Sequence, residues 1–195
     1  ETLEISRKTG NVIVGTLATC RLAQLAMIQG QQHEAKILFE RALETASDKR
    51  GGYRPIGGIA LIGLGWLYLE WNEVDTALNY LEEGIELSGR WAIIGSLQGH
   101  MTLALAKQAQ GDIEGANQAI RQALQLAAKF DAMDMDDIMV EAYQARLWML
   151  QGNHTAVSRW VKKRALETDE SWQQFATGAS PINSLLLRGL EYLVL

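Results

Sequence analysis

Apolar residues recur along this chain at three- and four-residue intervals, in stretches several turns long that short polar breaks interrupt. That interval is the period of a helix buried along one side, and no segment of useful length alternates as a strand would. The breaks are alike. Gln29-Gly30-Gln31, Gln110-Gly111-Asp112 and Gln151-Gly152-Asn153 share a pattern, Trp71-Asn72-Glu73 fills the fourth equivalent place, and the four turn positions are 42, 39 and 41 residues apart. A shared period of about forty residues is the mark of a solenoid built from one repeated unit.

The helices follow from these breaks. The first helix of each unit is expected over Val12–Gln29, Ile56–Glu70, Ile93–Gln110 and Asp136–Gln151, and the second over His33–Asp48, Val74–Gly89, Ile113–Ala128 and His154–Glu167. Gly or Asn at the break adopts the left-handed conformation that ends a helix, and Asn72 or Asp112 is expected to cap the helix that follows. Five residues after each turn position stand Ala35, Ala77, Ala116 and Val157; Phe39, Leu81, Ile120 and Val161 come four later, then Ala42, Gly84, Ala123 and Arg164. These fall on one helical stripe, where small residues admit a close neighbour. The pairs Leu22-Ala23, Leu64-Gly65 and Leu103-Ala104 recur upstream of the first three breaks.

The predicted fold is all-α: a tetratricopeptide-like right-handed superhelix of antiparallel helix pairs, with a repeat of about forty residues. Residues 1–195 form one domain of about four repeats with partial ends. Asn183–Leu195 is expected to begin a fifth, and Glu1–Lys8 reads as the tail of an amphipathic helix, as in a piece of a larger protein.

Composition narrows the function. With 48% hydrophobic and 21% charged residues in 195, the chain belongs among folded globular proteins, and its two prolines leave long helices unbroken. A net charge of -5 disfavours phosphate-backbone binding, which needs clustered Lys and Arg. The single cysteine, Cys20, forms neither an internal disulfide nor a Cys-rich zinc site, so a reducing cytoplasm is the expected setting. The longest uncharged stretches, Ile56–Leu69 and Trp91–Ala106, fall short of the roughly 20 apolar residues that span a bilayer.

The order Leu, small residue, Gly or Asn, Ala, Phe or Leu, Ala is similar to the tetratricopeptide consensus, at a longer period than that family's usual one; HEAT and armadillo repeats lack it. A narrower resemblance lies in Arg54-Pro55, Gly58, the run Gly63-Leu64-Gly65-Trp66-Leu67-Tyr68-Leu69-Glu70-Trp71-Asn72-Glu73-Val74-Asp75, Ala77, and Leu81-Glu82-Glu83-Gly84-Ile85-Glu86-Leu87. Gln108-Ala109-Gln110-Gly111-Asp112, Ala145-Arg146-Leu147-Trp148 and Gln151-Gly152 extend it. Together they resemble the MalT-like helical sensor region of large LuxR-type bacterial transcription regulators. The resemblance implies a repeat array that senses an inducer or regulatory protein between an N-terminal nucleotide-binding switch domain and a C-terminal helix-turn-helix. Neither flanking activity is written in these residues: there is no G-x-x-x-x-G-K-[ST] and no basic recognition helix.

In stacked repeats of this kind the first helices expose a concave face. Projected onto it are Leu17, Gln24 and Met27; Ile59, Ile62, Trp66 and Leu69; Gln98, Met101, Leu105 and Gln108; and Met139, Arg146 and Met149. Of these, Gln24, Met27, Ile59, Ile62, Trp66, Leu69, Gln98, Met101, Leu105, Gln108, Arg146 and Met149 form the candidate binding set, which ordinary packing between helices would equally explain. Met and Trp offer adaptable contact area, Gln and Arg orient polar groups. Trp66 is placed mid-face, flanked by Ile62 and Leu69 and opposite Met101. Glu70-Trp71-Asn72 reads as a capped turn and Tyr53-Arg54-Pro55 as a structured loop.

Catalysis and metal chemistry find no footing. Asp131, Asp134, Asp136 and Asp137 lack the glycine and distal glutamate of a calcium loop, and acidic residues before a helix suit its positive start. His33, His100 and His154 show no ligand spacing, and no Ser or Cys has a recognisable base. The expected function is a regulatory sensor that takes an effector molecule, regulatory protein or peptide and acts on the switch domain of its own full-length protein. No enzyme activity, cofactor, membrane contact or direct nucleic-acid contact is expected of it. The alternative is a constitutive protein-protein scaffold.

Overall fold

The computed structural model describes residues 11–48, 51–89, 93–129 and 134–163. Helices fill nearly all of them: α1 (Val12–Ile28), α2 (Gln32–Ala46), α3 (Gly58–Glu70) preceded by a 3-10 turn (Pro55–Gly57), α4 (Val74–Ser88), α5 (Ile93–Gln110), α6 (Ile113–Lys129), α7 (Asp134–Leu150) and α8 (154–163). Every expected helix covered by these residues is present. Asn183–Leu195, Glu1–Lys8 and the end of the helix expected to reach Glu167 lie outside the described residues.

Each repeat turns in the same way because the residue at the break has a positive φ: Gly30 at 76°, Asn72 at 61°, Gly111 at 88° and Gly152 at 72°. The amide of each left-handed residue donates to a carbonyl three residues back, and the next amide reaches five back; Gly30 N–Met27 O is 3.0 Å and Gln31 N–Ala26 O is 2.8 Å. The other three repeats copy that pair, so the last carbonyls of each first helix are satisfied without side chains. One detail differs from expectation. Asn72 is spent on the left-handed turn, and the cap position of α4 is Glu73, which makes no side-chain cap bond. The equivalent residue of the fourth repeat, Asn153, does cap, accepting from the Ala156 amide at 3.2 Å.

The chain divides into two compact units after Asp112. In the first, α1 pairs with α2, α3 with α4, and α5 packs on both α3 and α4. The small-residue stripe of α2 is its core: Ala35, Phe39 and Ala42 are fully buried and cluster with Cys20, Ala23, Ala60, Leu61 and Leu64. Phe39 fits because Gly63 has no side chain, since a Cβ there would collide with its ring. A second cluster joins Ile62, Leu78, Leu81 and Ala106. Ile62 closes on α4 because a Cβ on Gly84 would stand 2.9 Å from the Ile62 amide nitrogen.

The second unit pairs α6 with α7. Ala116, Ile120 and Ala123 on α6 are buried, as the stripe requires, whereas Val157 is half-buried and Val161 exposed in the divergent fourth repeat. Trp160 is buried against Ala142 and Ala145 and donates from Nε1 to Glu141 Oε2 at 3.2 Å.

A recurrent side-chain tie links neighbouring repeats. The residue just before the left-handed position donates to the second helix of the preceding repeat: Trp71 Nε1 to Gln32 Oε1 at 2.7 Å, Gln110 Nε2 to Asp75 Oδ1 at 3.4 Å, and Gln151 Nε2 to Asn117 Oδ1 at 3.4 Å. Trp71 also meets His33 and Tyr68 with ring centroids 5.6 and 5.4 Å apart, and Tyr68 stacks on Tyr80 at 5.3 Å. Trp71, in the Glu70-Trp71-Asn72 turn, thus covers the junction between the first two repeats. The Tyr53-Arg54-Pro55 segment is likewise structured, with an isolated bridge from Tyr53 to Ser47 and the Arg54 amide donating to Ala46 O at 2.9 Å.

Candidate binding face

The repeat register sorts the candidate residues into rows. Six residues before each left-handed position stand Gln24, Trp66, Leu105 and Arg146; three before it stand Met27, Leu69, Gln108 and Met149. Of these, Arg146 and Met149, both on α7 of the second unit, are exposed, and the remaining six, in the first unit, are half-buried. Ile59 and Gln98, thirteen before their turns, are also half-buried.

Ile62 and Met101 depart from the expected face. Each stands ten residues before its turn, where the other two repeats carry Cys20 and Ala142, and all four are buried, Ile62 and Met101 at 1% exposure. That row belongs to the core: Cys20 packs in the cluster of Phe39 and Leu64, Ile62 closes on Gly84, and Ala142 packs with Trp160. Leu69 also leans inward, packing on the cluster that contains Ile62.

In the first unit α3 packs against α1 on one side and α5 on the other. Across it Gln24 Nε2 on α1 donates to Gln98 Oε1 on α5, 3.4 Å away, joining first helices two repeats apart. The Gln24 amide is held from its own helix, whereas Thr102 reaches only the backbone of Gln98. Arg21 Nη1 donates to Gln24 Oε1 at 2.8 Å, and Thr102 Oγ1 donates to the Gln98 carbonyl at 3.0 Å. Trp66 Nε1 on α3 donates to Glu70 Oε1 one turn along at 3.1 Å. Arg21 and Glu70 are polar contributors absent from the expected set; their spacing of three and four residues from Gln24 and Trp66 is the signal that marks them.

Burial pushes the Cys20 thiol up to about 12, which leaves it protonated and unreactive. Burial also holds the His100 imidazole below its ordinary 6.5. Lys36 lies 5.8 Å from the Tyr68 ring centroid, and its hydrogen bond to Tyr68, with Glu40 nearby, raises its pKa. Among the described residues no group of three or more His, Cys, Asp or Glu is placed to hold a metal ion, and no helix is long and apolar enough to cross a membrane. The side chains of the acidic group Asp131, Asp134, Asp136 and Asp137 lie outside the described residues.

Comparison with known proteins agrees with the geometry. A family model described as the MalT-like TPR region matches residues 1–180. Among solved structures, BtubC (BKLC) from P. vanneervenii is similar at a TM-score of 0.56 and 15% identity, over 92% of this chain and 90% of that one. At that identity the likeness is one of fold. No curated protein matches the chain.

Proposed function

The chain belongs to the MalT-like TPR family, and from that premise we propose that it is the sensing and interaction region of a LuxR-type bacterial transcription regulator, working in the cytoplasm without a catalytic step or cofactor. Its effector, a small molecule or a regulatory protein, binds the face shared by α1, α3 and α5. The observation that carries this reading is the Gln24–Gln98 bond, which joins the first helices of the first and third repeats across α3, the helix that carries the half-buried Ile59 and Trp66. Such a mix of apolar area and a few fixed polar groups is what ligand-binding surfaces present. Arg146 and Met149 hold the same register positions on α7 of the second unit, where both are exposed. An effector acts on the switch domain only by the difference in its affinity for the two states of the regulator.

A constitutive scaffold is the competing reading, and one contact favours it: the Trp66 indole donor is already engaged by Glu70 on its own helix. Titration of the chain with oligosaccharides, peptides and lipids, followed by Trp fluorescence and calorimetry, separates the two. A sensor gives a saturable ligand whose affinity Trp66→Ala lowers by about 2 kcal/mol while melting changes little. Severe unfolding of Trp66→Ala with no ligand effect removes Trp66 from the site.

A further inference from the structure

Two glutamine side chains that meet face to face can exchange two hydrogen bonds, each amide giving an N–H and taking one. Gln24 and Gln98 make one. The reason lies on α1, where Arg21 Nη1 donates to Gln24 Oε1 at 2.8 Å. A guanidinium carries donors and no acceptor, so it fixes which way the Gln24 amide faces, with oxygen toward Arg21 and nitrogen toward Gln98. Gln98 must answer with its oxygen, and Gln24 Nε2 donates to Gln98 Oε1 at 3.4 Å. The polarity of the pair is thus set by a side chain that bonds to only one of its members.

The consequence falls on Gln98 Nε2. Its hydrogens have no acceptor among the described residues, since Thr102 bonds to the Gln98 backbone carbonyl and leaves the side chain alone. Gln98 is half-buried, and it is the polar member of a row that reads Leu17, Ile59 and Met139 in the other repeats. On α3, the helix that the pair spans, the Trp66 indole N–H is already given to Glu70. The series Arg21, Gln24, Gln98 therefore carries donor polarity from an exposed position on α1 across α3. It ends on an amide nitrogen whose hydrogens are left for an incoming acceptor, and a half-buried donor without one is costly.

We infer that Gln98 selects the effector by polarity: its side-chain N–H groups take a ligand that presents an oxygen acceptor without a proton of its own, as an amide carbonyl does. Arg21 is the positioning residue that sets this choice without touching the ligand. The inference rests on the effector face proposed above and adds the chemistry which that face selects. Reversing the charge at position 21 reverses the selection. A carboxylate there only accepts, so it turns Gln24 Nε2 toward itself; Gln24 Oε1 then accepts from Gln98 Nε2, and Gln98 Oε1 is left to accept from a ligand's N–H.

The test follows the glutamine side-chain amides of the whole 195-residue chain by NMR, the Gln98 resonance being identified by its loss in Gln98→Ala. Two small neutral probes are titrated: N,N-dimethylacetamide, which accepts and cannot donate, and pyrrole, whose N–H donates. In the native chain dimethylacetamide shifts the Gln98 amide and binds about fivefold more tightly than pyrrole. Arg21→Lys keeps that preference, because an ammonium also only donates; Arg21→Met erases it and Arg21→Glu inverts it, with melting nearly unchanged because Arg21 is exposed. Equal binding of the two probes to the native chain, a preference that Arg21→Glu leaves as it was, or no shift with either probe overturns the inference. An effector whose affinity is blind to Arg21→Glu and Gln98→Ala also overturns it and leaves the effector face standing. Probe selection as expected, with no saturable effector in the titrations above, keeps the polarity of Gln98 and removes the effector.

Discussion

Gln24 and Gln98 are 74 residues apart in sequence and share a hydrogen bond of 3.4 Å across α3. In a linear array each repeat touches chiefly its neighbours, so stability is close to a sum of nearest-neighbour terms. This bond adds a link from the first repeat to the third. Its length puts it beyond the usual range for an N–H···O bond, so it is a weak link between half-buried groups.

Gln24→Ala and Gln98→Ala should therefore each cost about 1 kcal/mol or less in urea melts, with a coupling of about 0.5 kcal/mol in the double-mutant cycle. A coupling of zero would show that the two amides do not meet in solution.

Close packing should be far less forgiving. Ala77 is fully buried on the stripe of α4, so Ala77→Leu is expected to cost about 1 to 3 kcal/mol through overpacking. Ala116→Leu belongs to the same class. Ala18→Leu, on the open side of α1, should be tolerated. Equal costs at Ala18 and Ala77 in denaturant melts would mean that the register is wrong.

Gly63→Ala drives a methyl group into the Phe39 ring, which is itself fully buried and cannot swing away. Gly30→Ala meets no neighbour, and its strain comes from a φ of 76° alone. Thermal melts should show Gly30→Ala costing about 1 kcal/mol and Gly63→Ala more. The reverse order would locate the constraint at the turn.

Acid should weaken the fold through His100. Its Nδ1 is buried without a partner, and burial lowers its pKa below 6.5, so the unfolded chain takes up the proton first. The His100 contribution is complete above pH 6.5 and falls as pH drops from there toward the folded-state value. His100→Leu should flatten that part of a stability-against-pH curve; an unchanged slope assigns the loss to other groups.

Turns and stripes were legible in the sequence because residue type encodes them directly. Gly30, Asn72, Gly111 and Gly152 are the residues that take a positive φ at little cost, and Ala35, Ala77 and Ala116 recur where a larger side chain would not fit. The face of α3 was harder. Its sequence, GIALIGLGWLYLE, is apolar on every side, so periodicity supplies no phase and Ile62 looks as available as Ile59. Comparing rows across repeats resolves it, because Cys20 and Ala142 share the Ile62 position and neither suits a groove. The Gln24–Gln98 contact had no local signal at all; it arises from helices brought together by two successive repeats.

Cys20 lies in the seam between the first two repeats, packed with Ala60 and Leu64. With its pKa raised to about 12, almost no thiolate exists at neutral pH, and a thiol reagent finds no approach while the seam is shut. The rate at which the native chain takes up such a reagent is therefore a stopwatch for the parting of these two repeats. Any molecule that clamps α1 to α3 will slow the clock, whether or not it changes the helical content, and the only thiol in the chain reads it without an added label.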